Sequence, residues 1–412
     1  MSEHVRFSDL VKINPRTILS GKIVPFIGME DVSEDGAILN IRERSASELS
    51  SGLSSFRDDD VLFAKITPCM ENGKGAYVAG VGAKGALGST EFHVLRARRD
   101  VEPRYIYHWT RTRTLRRAAE AMMTGSAGQR RVPTQFFHRF LVPGFPLREQ
   151  RRIADILDAL DARIHVEMRE LAKRRLLREG AVRRAMEPGL KMVDSVDASR
   201  LGEIDGSNQG GWTPLRLGSL LTRIEAGVSP DLDDRPAGTG EWGVLKVSAV
   251  GQDGFRSMEN KVVVDRSLHQ ANLCVTAGDL IMTRANTSDL VGLSCVVPEV
   301  APGLMLSDKT LRLVVDSRKV TVSFVDLALG MPEVRKQIQV AATGTSASMK
   351  NISQSAICAL MIPFSDSSSM GRICDINAKM KNLLEKQQVA VAALRDLKRG
   401  LAEDLLTGRV RV

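Results

Sequence analysis

Cysteine is scarce in this chain, and what there is does not pair. The five thiols, Cys69, Cys274, Cys295, Cys358 and Cys374, are odd in number, far apart and without a CxxC spacing. That pattern excludes a disulfide framework and a zinc knuckle, and predicts reduced, mostly buried thiols in a cytosolic protein. Six histidines are scattered, and none stands at helical spacing from a Cys or Glu that would complete a metal site. No Gly-x-x-x-x-Gly-Lys-Ser/Thr loop is present to cradle a nucleotide phosphate. Gly80-Val81-Gly82 lies in a glycine-rich turn and reads as a loop. An Asn/Asp-Pro-Pro-aromatic segment of the amino-methyltransferase kind is also missing. No apolar run approaches a membrane span, and the first residues lack the apolar stretch of a signal peptide. The sequence therefore predicts a cytoplasmic protein, away from the membrane, with no cofactor, no metal and no catalytic residue of its own. Asp58-Asp59-Asp60 is the one acidic run that suggests metal, and aspartate at the turn before a strand is the simpler reading.

What the chain has in abundance is positive charge and internal likeness. Its 412 residues carry 58 Lys and Arg against 49 Asp and Glu, a net charge of +9, which favours a polyanionic partner such as nucleic acid. Hydrophobic content of 43% and charged content of 26% are those of a folded globular protein, with room for several domains.

The likeness is a duplication. Asp60-Val61-Leu62-Phe63-Ala64-Lys65 returns 219 residues later as Asp279-Leu280-Ile281-Met282-Thr283-Arg284. Gly125-Ser126-Ala127 returns as Gly344-Thr345-Ser346, and Thr134-Gln135 as Ser353-Gln354, at the same offset. One residue later in register, Arg152-Ile153-Ala154-Asp155-Ile156 returns as Arg372-Ile373-Cys374-Asp375-Ile376. Constant order and near-constant offset imply one scaffold used twice. Two scaffolds with different loops suit a reader of two unequal targets better than an enzyme.

Residues 1–146 read as a mixed α/β domain, with strands at Val24–Ile27 and Val61–Ala64 and a helix over Pro103–Met123. Residues 147–190 then form one long amphipathic helix, with Ile153, Leu157, Leu160, Ile164, Met168 and Leu171 spaced by three or four. A polar linker covers 191–211, and residues 212–365 repeat the α/β pattern. Strands are expected there at Gly243–Val247, Leu280–Arg284, Leu293–Val297 and Leu311–Val315, and a helix over Val322–Val340. Residues 366–412 carry the second long helix and a tail. Its expected seam is Ile373, Ile376, Met380, Leu383, Gln387, Ala390, Leu394, Leu397 and Leu401, with Gln387 as the polar residue that sets register. Equivalent repeat positions make an antiparallel pairing of the two helices the economical arrangement; a parallel pairing with another subunit is the runner-up.

Double-stranded DNA needs cations for phosphates, and forked or amide side chains for base edges. Gln129, Arg130 and Arg131 offer both, the arginines as forks for a guanine and Gln129 for an adenine. The equivalent loop offers Thr345, Ser346, Ser348, Lys350 and Asn351. Lys65 and Arg284 hold matched strand ends, followed by Thr67 in one repeat and by Asn286 and Thr287 in the other.

Two segments carry a family resemblance. The run from Phe145-Pro146-Leu147-Arg148-Glu149-Gln150 through Ile153-Ala154-Asp155-Ile156 to Asp161 resembles the opening of the first long helix in specificity subunits of type I restriction-modification systems. Leu397-Lys398-Arg399-Gly400-Leu401 and Leu405-Leu406-Thr407-Gly408 are similar to that family's C-terminal ending, and Ala277–Arg284 to a segment of its target recognition domains. The resemblance spans essentially the whole chain. It implies two repeated target recognition domains of α/β (α+β) class, separated by two long helices that pair as an antiparallel coiled coil. It implies that each domain reads one half of a split DNA site, and that the helices set the spacer and dock two methyltransferase subunits. Motor-nuclease subunits would join through the complex. A stand-alone DNA-acting nuclease, a recognition subunit of a related methylation-based defence complex, and a coiled-coil adaptor are the competing readings. The second domain departs from the pattern: it ends Pro363-Phe364-Ser365-Asp366-Ser367-Ser368-Ser369, where the first has Pro-Leu-x-Glu-Gln. One of the three serines is expected to cap the second long helix.

Overall fold

The computed structural model describes residues 3–19, 21–45, 52–82, 85–126, 128–195, 211–230, 232–300, 302–346 and 349–412. They form two compact units, Met1–Leu171 with Lys386–Val412, and Ala172–Glu385. The expected linker lies mostly outside the described residues.

Both units are built on one plan. In the first, an antiparallel sheet runs in the order Val11–Ile13, Phe92–Ala97, Asp60–Ala64, Gly75–Tyr77. In the second, Leu221–Ala226, Thr310–Val315, Leu280–Thr283 and Ser294–Val296 take the same order. A second sheet repeats too: Ile23–Ile27 pairs antiparallel with Arg42–Ser45 and parallel with Ala86–Gly88, as Trp242–Leu245 does with Asn260–Val263 and Leu304–Met305. The central strands, Asp60–Ala64 and Leu280–Thr283, are buried throughout, which is why their apolar runs were legible. Asp60 and Asp279 also repeat a role. Each accepts the amide three residues before it, from Arg57 or Thr276, and pairs with an arginine, Arg96 or Arg312.

Two expected helices are each two. Pro103–Arg111 and Arg113–Ala121 meet at Thr112, whose backbone is extended. Its hydroxyl donates to the Trp109 carbonyl (2.8 Å) and accepts from the Leu115 amide (3.2 Å), closing one helix and capping the next. Val322–Leu329 and Pro332–Ala341 divide because proline at a first turn starts a helix and cannot continue one.

The first long helix, Leu147–Ser195, has 49 residues, roughly 74 Å at 1.5 Å each. The second is Ser367–Thr407. No helix among the described residues is long and apolar enough to cross a membrane. The cap of the second helix differs from expectation: the Asp366 carboxylate, not a serine hydroxyl, accepts the Ser369 amide (2.9 Å), and these hydroxyl and amide donors hold that carboxyl below its ordinary range.

Within the first unit the two helices run antiparallel. Gln387 donates to Glu167 (3.0 Å), Lys398 to Asp161 (2.6 Å) and Arg411, just past the second helix, to Glu149 (2.8 Å), so contacts ascend the chain on one side as they descend it on the other. Gln387 is buried, as a register-setting polar residue should be. The expected seam holds in part: Ile373 and Gln387 are buried, and Met380, Leu394 and Leu401 half-buried. Ile376, Leu383 and Leu397 depart from it, 47%, 58% and 57% exposed on an outward stripe, and Leu384 and Val391 are buried instead.

The mixed α/β part of the first unit is fastened to this helix pair twice. Tyr105, Trp109, Phe136 and Phe145 share a core with Ile153, Leu157, Leu405 and Leu406. Beside it, His108 bonds Asp158 (2.8 Å), and Arg104 bonds Asp155 (2.8 Å) and Asp158 (2.7 Å). Burial lowers the pKa of His108 against the pull of Asp158, and burial lowers that of His93, whose Nε2 meets the Val132 carbonyl. Unfolded, both titrate near 6.5. The unfolded chain then binds more protons than the folded one as pH falls through that value, so stability drops toward the lower folded pKa values. Thermal melts at about pH 7.5 and about pH 5.5 should show the first unit melting lower in acid, with a smaller difference in His93→Gln and His108→Gln. Equal sensitivity in wild type and both variants contradicts this.

Candidate nucleic-acid interface

The two basic loops are hairpins on matched strand ends, and they bring the expected residues together. In the first unit the Thr124 and Arg131 backbones exchange hydrogen bonds (3.0 and 2.8 Å). The Thr67 amide donates to the Arg130 carbonyl (3.0 Å), and the Val132 amide to the Lys65 carbonyl (2.9 Å). Lys65 and Thr67 thus lie directly against Gln129, Arg130 and Arg131. In the second unit Thr343 pairs Asn351, Ala285 pairs Asn351, Asn286 pairs Lys350, and the Ile352 amide donates to the Arg284 carbonyl (3.0 Å). This is the same ladder with one residue more in the hairpin, so the offset is 220 from Arg131 to Asn351 and returns to 219 at Thr134 and Ser353.

Each hairpin needs its glycine. Gly125 has φ +125°, and a Cβ there would sit 2.9 Å from the Gln129 carbonyl oxygen; Gly344 has φ +142°, with the Met349 carbonyl oxygen 2.5 Å away. A side chain at either would force the strands apart.

The side chains divide into braces and free donors. Arg131 is a brace: its guanidinium grips Glu91 at two points (3.0 and 2.8 Å), and this pairing holds the Glu91 carboxyl below its ordinary range. Arg130 faces Glu71 at 3.6 Å, and Glu71 also accepts from the Thr67 hydroxyl (2.7 Å). Gln129, at the tip, is exposed and makes no side-chain hydrogen bond among the described residues. In the second unit Lys350 reaches back to the Gly344 carbonyl (2.7 Å), and Asn286 accepts the Thr287 amide (2.8 Å). The Arg284 side chain is exposed, and its guanidinium makes no hydrogen bond or ion pair among the described residues. Burial pushes the nearby Asp308 carboxyl up, but Ser229, Lys309 and Arg284 together hold it down. Thr287 and Asn351 are exposed. The side chains of Thr345 and Ser346, and residues Ala127 and Ser348, lie outside the described residues.

The fold adds residues that spacing did not suggest. Lys246, Ser248, Gln252 and Arg256 line an open cleft with Asn286. They follow the strand Trp242–Leu245, and the fold brings them beside Asn286. The acidic run resolves into separate duties: Asp58 accepts the Val81 and Gly82 amides, Asp59 the Tyr77 hydroxyl, and Asp60 the Arg96 guanidinium. His108, Asp158 and Asp161 do place ligand atoms within 4.8 Å of one another, but Arg104 and Lys398 already occupy the two carboxylates.

No family model matches the chain. Among characterised proteins, it is 27% identical over 433 residues to the type I restriction enzyme EcoEI specificity subunit of Escherichia coli, covering 85% of this chain and 73% of that one. It is 35% identical over 156 residues to the EcoAI specificity subunit of the same organism, covering 37% of this chain and 26% of that one. Among solved structures, it matches a chain from work on complex assembly and conformational transition of the type I R-M system, with TM-score 0.56, 20% identity, and coverage of 99% and 98%. The chain is a relative of type I specificity subunits and shares their fold.

Proposed function

We propose that this chain is the DNA-binding specificity subunit of a type I restriction-modification complex, each recognition domain reading one half of a bipartite double-stranded site. One observation carries the reading. Two hairpins with the same ladder present different side chains, Gln129 and Arg130 in one unit, Lys350 and Asn351 in the other. A shared frame with different donors is what two half-sites require. The long helices set the spacer and dock two methyltransferase subunits, through which motor-nuclease subunits join. The outward stripe of Ile376, Leu383 and Leu397, recurring every seven or fourteen residues, gives such partners an apolar face. Catalysis then belongs to the partners. Among the described residues no observation favours the nuclease reading, since the clustered carboxylates are committed to amides, a tyrosine hydroxyl, a histidine, arginines and a lysine.

The test separates base from phosphate contacts. Gln129→Ala should cost about 1–3 kcal/mol of discrimination at one position of the first half-site. Arg284→Ala should weaken all sequences alike and make the salt slope shallower by about one. Binding is measured across salt, on matched and mismatched duplexes, with the methyltransferase-bound chain. Unchanged affinity, slope and discrimination in both variants would place the DNA-facing side elsewhere.

A further inference from the structure

Two buried arginines stand at one position of the repeat. Arg116, in the helix Arg113–Ala121, and Arg335, in Pro332–Ala341, are 219 residues apart. Neither forms an ion pair among the described residues; both donate to backbone carbonyls, with Arg116 Nε and Arg335 Nη1 buried and left without a partner there. Arg116 donates to Met70 (2.5 Å), Gly73 (3.0 Å) and Lys74 (3.4 Å). Arg335 donates to Val291 (2.8 Å) and Asp289 (3.0 Å). Met70 and Asp289 are again 219 apart, so the same guanidinium holds the same carbonyl twice. Gly73 and Gly292, equally spaced, both turn the chain with positive φ beside these contacts. Arg116 also lies over the Phe63 ring, 5.2 Å from its centroid.

A buried guanidinium is costly unless its donors are used. Burial pulls both arginines below their ordinary pKa, yet an arginine stays charged at neutral pH. Each therefore pins whatever carbonyls it meets. Those carbonyls close the loops that open with Lys65–Thr67 and Arg284–Thr287. One turn links the ends of each loop: the Met70 amide donates to the Ile66 carbonyl (2.9 Å), and the Val291 amide to the Thr287 carbonyl (2.9 Å). Ile66 and Ala285 in turn pair with Arg131 and Asn351 of the hairpins.

We propose that Arg116 and Arg335 are positioning residues for DNA reading, each clamping the loop that carries Lys65–Thr67 or Arg284–Thr287 and so fixing it against its hairpin. What the loops do rests on the proposed function; the clamp does not.

Arg116→Lys and Arg335→Lys keep an amine donor of similar reach but lose the planar fork. In the full chain, hydrogen exchange should rise roughly tenfold at residues 66–74 in the first variant and 285–292 in the second, about the loss of one net hydrogen bond, with the rest of each unit unchanged. Exchange that stays the same, or rises evenly through the unit, overturns the clamp. The full chain is then used to select from randomised duplexes. Each variant should blur one half of the selected motif, a different half for each, with an unchanged salt slope. Loosened loops with both halves sharp overturn the positioning role, as does a slope shallower by about one, which would mean a phosphate contact. If wild type selects no split motif, the DNA-reading proposal fails while exchange still judges the clamp. Should a lysine variant not fold, Arg→Gln, which keeps a donor without a buried charge, is read the same way.

Discussion

Exchanging residues 1–146 for the matching domain of a relative changes one half of the recognised sequence and leaves the other half intact. The first unit has its own sheets and its own core, from Phe7 and Phe63 to Trp109 and Phe137, and the second is built around Phe324, Leu313 and Ile338. A reader that folds on its own core keeps its own specificity when its counterpart is replaced. The junction sets a condition. The incoming domain must meet Ile153, Leu157, Leu405 and Leu406 with an apolar face, and must supply partners for Asp155 and Asp158 in place of Arg104 and His108. A domain lacking these groups leaves a half-buried carboxylate unpaired and should lower stability before it alters reading. The readout is the methylated motif. A change in both halves would mean that the two readers are not separable.

Lengthening the helix pair by one heptad in each helix should move the half-sites apart without changing them. Seven residues enter between Asp161 and Glu167, and seven between Gln387 and Lys398. Both insertions are needed, because Gln387–Glu167 and Lys398–Asp161 fix one register, and an insertion in a single helix breaks one pair or the other. The paired insertion preserves the apolar phase and adds about 10 Å, roughly three base pairs of DNA. A longer spacer between unchanged half-sites is the expected result. An unchanged spacer in a folded, active complex would mean that the helices do not set the distance.

How much of this was legible follows from where the information sits. The duplication, the central strands and the long helices lie in local patterns, and the sequence showed them. The two hairpins were legible only as equivalent loops, through the return of Gly125 as Gly344; that glycine is what their turns require came from the fold. Pairings between distant residues were not. Arg131 is a brace because Glu91, 40 residues away, arrives in the turn before the strand Phe92–Ala97. Leu384 is buried and Leu383 exposed, and a helix bearing both leucines does not reveal which faces inward. Thr112 breaks a helix whose apolar spacing continues across it. Arg116 and Arg335 resemble solvated helix charges until the glycine-turned loops fold over them.

The central claim is that this chain makes a complex read a split DNA site. The most direct measurement is sequencing of methylated bases in the genome of host cells with and without the gene. A bipartite motif with two fixed halves and a fixed gap, lost on deletion and restored by the intact gene, is the predicted result. The same methylation pattern in both cells, with the methyltransferase partners expressed, would contradict it.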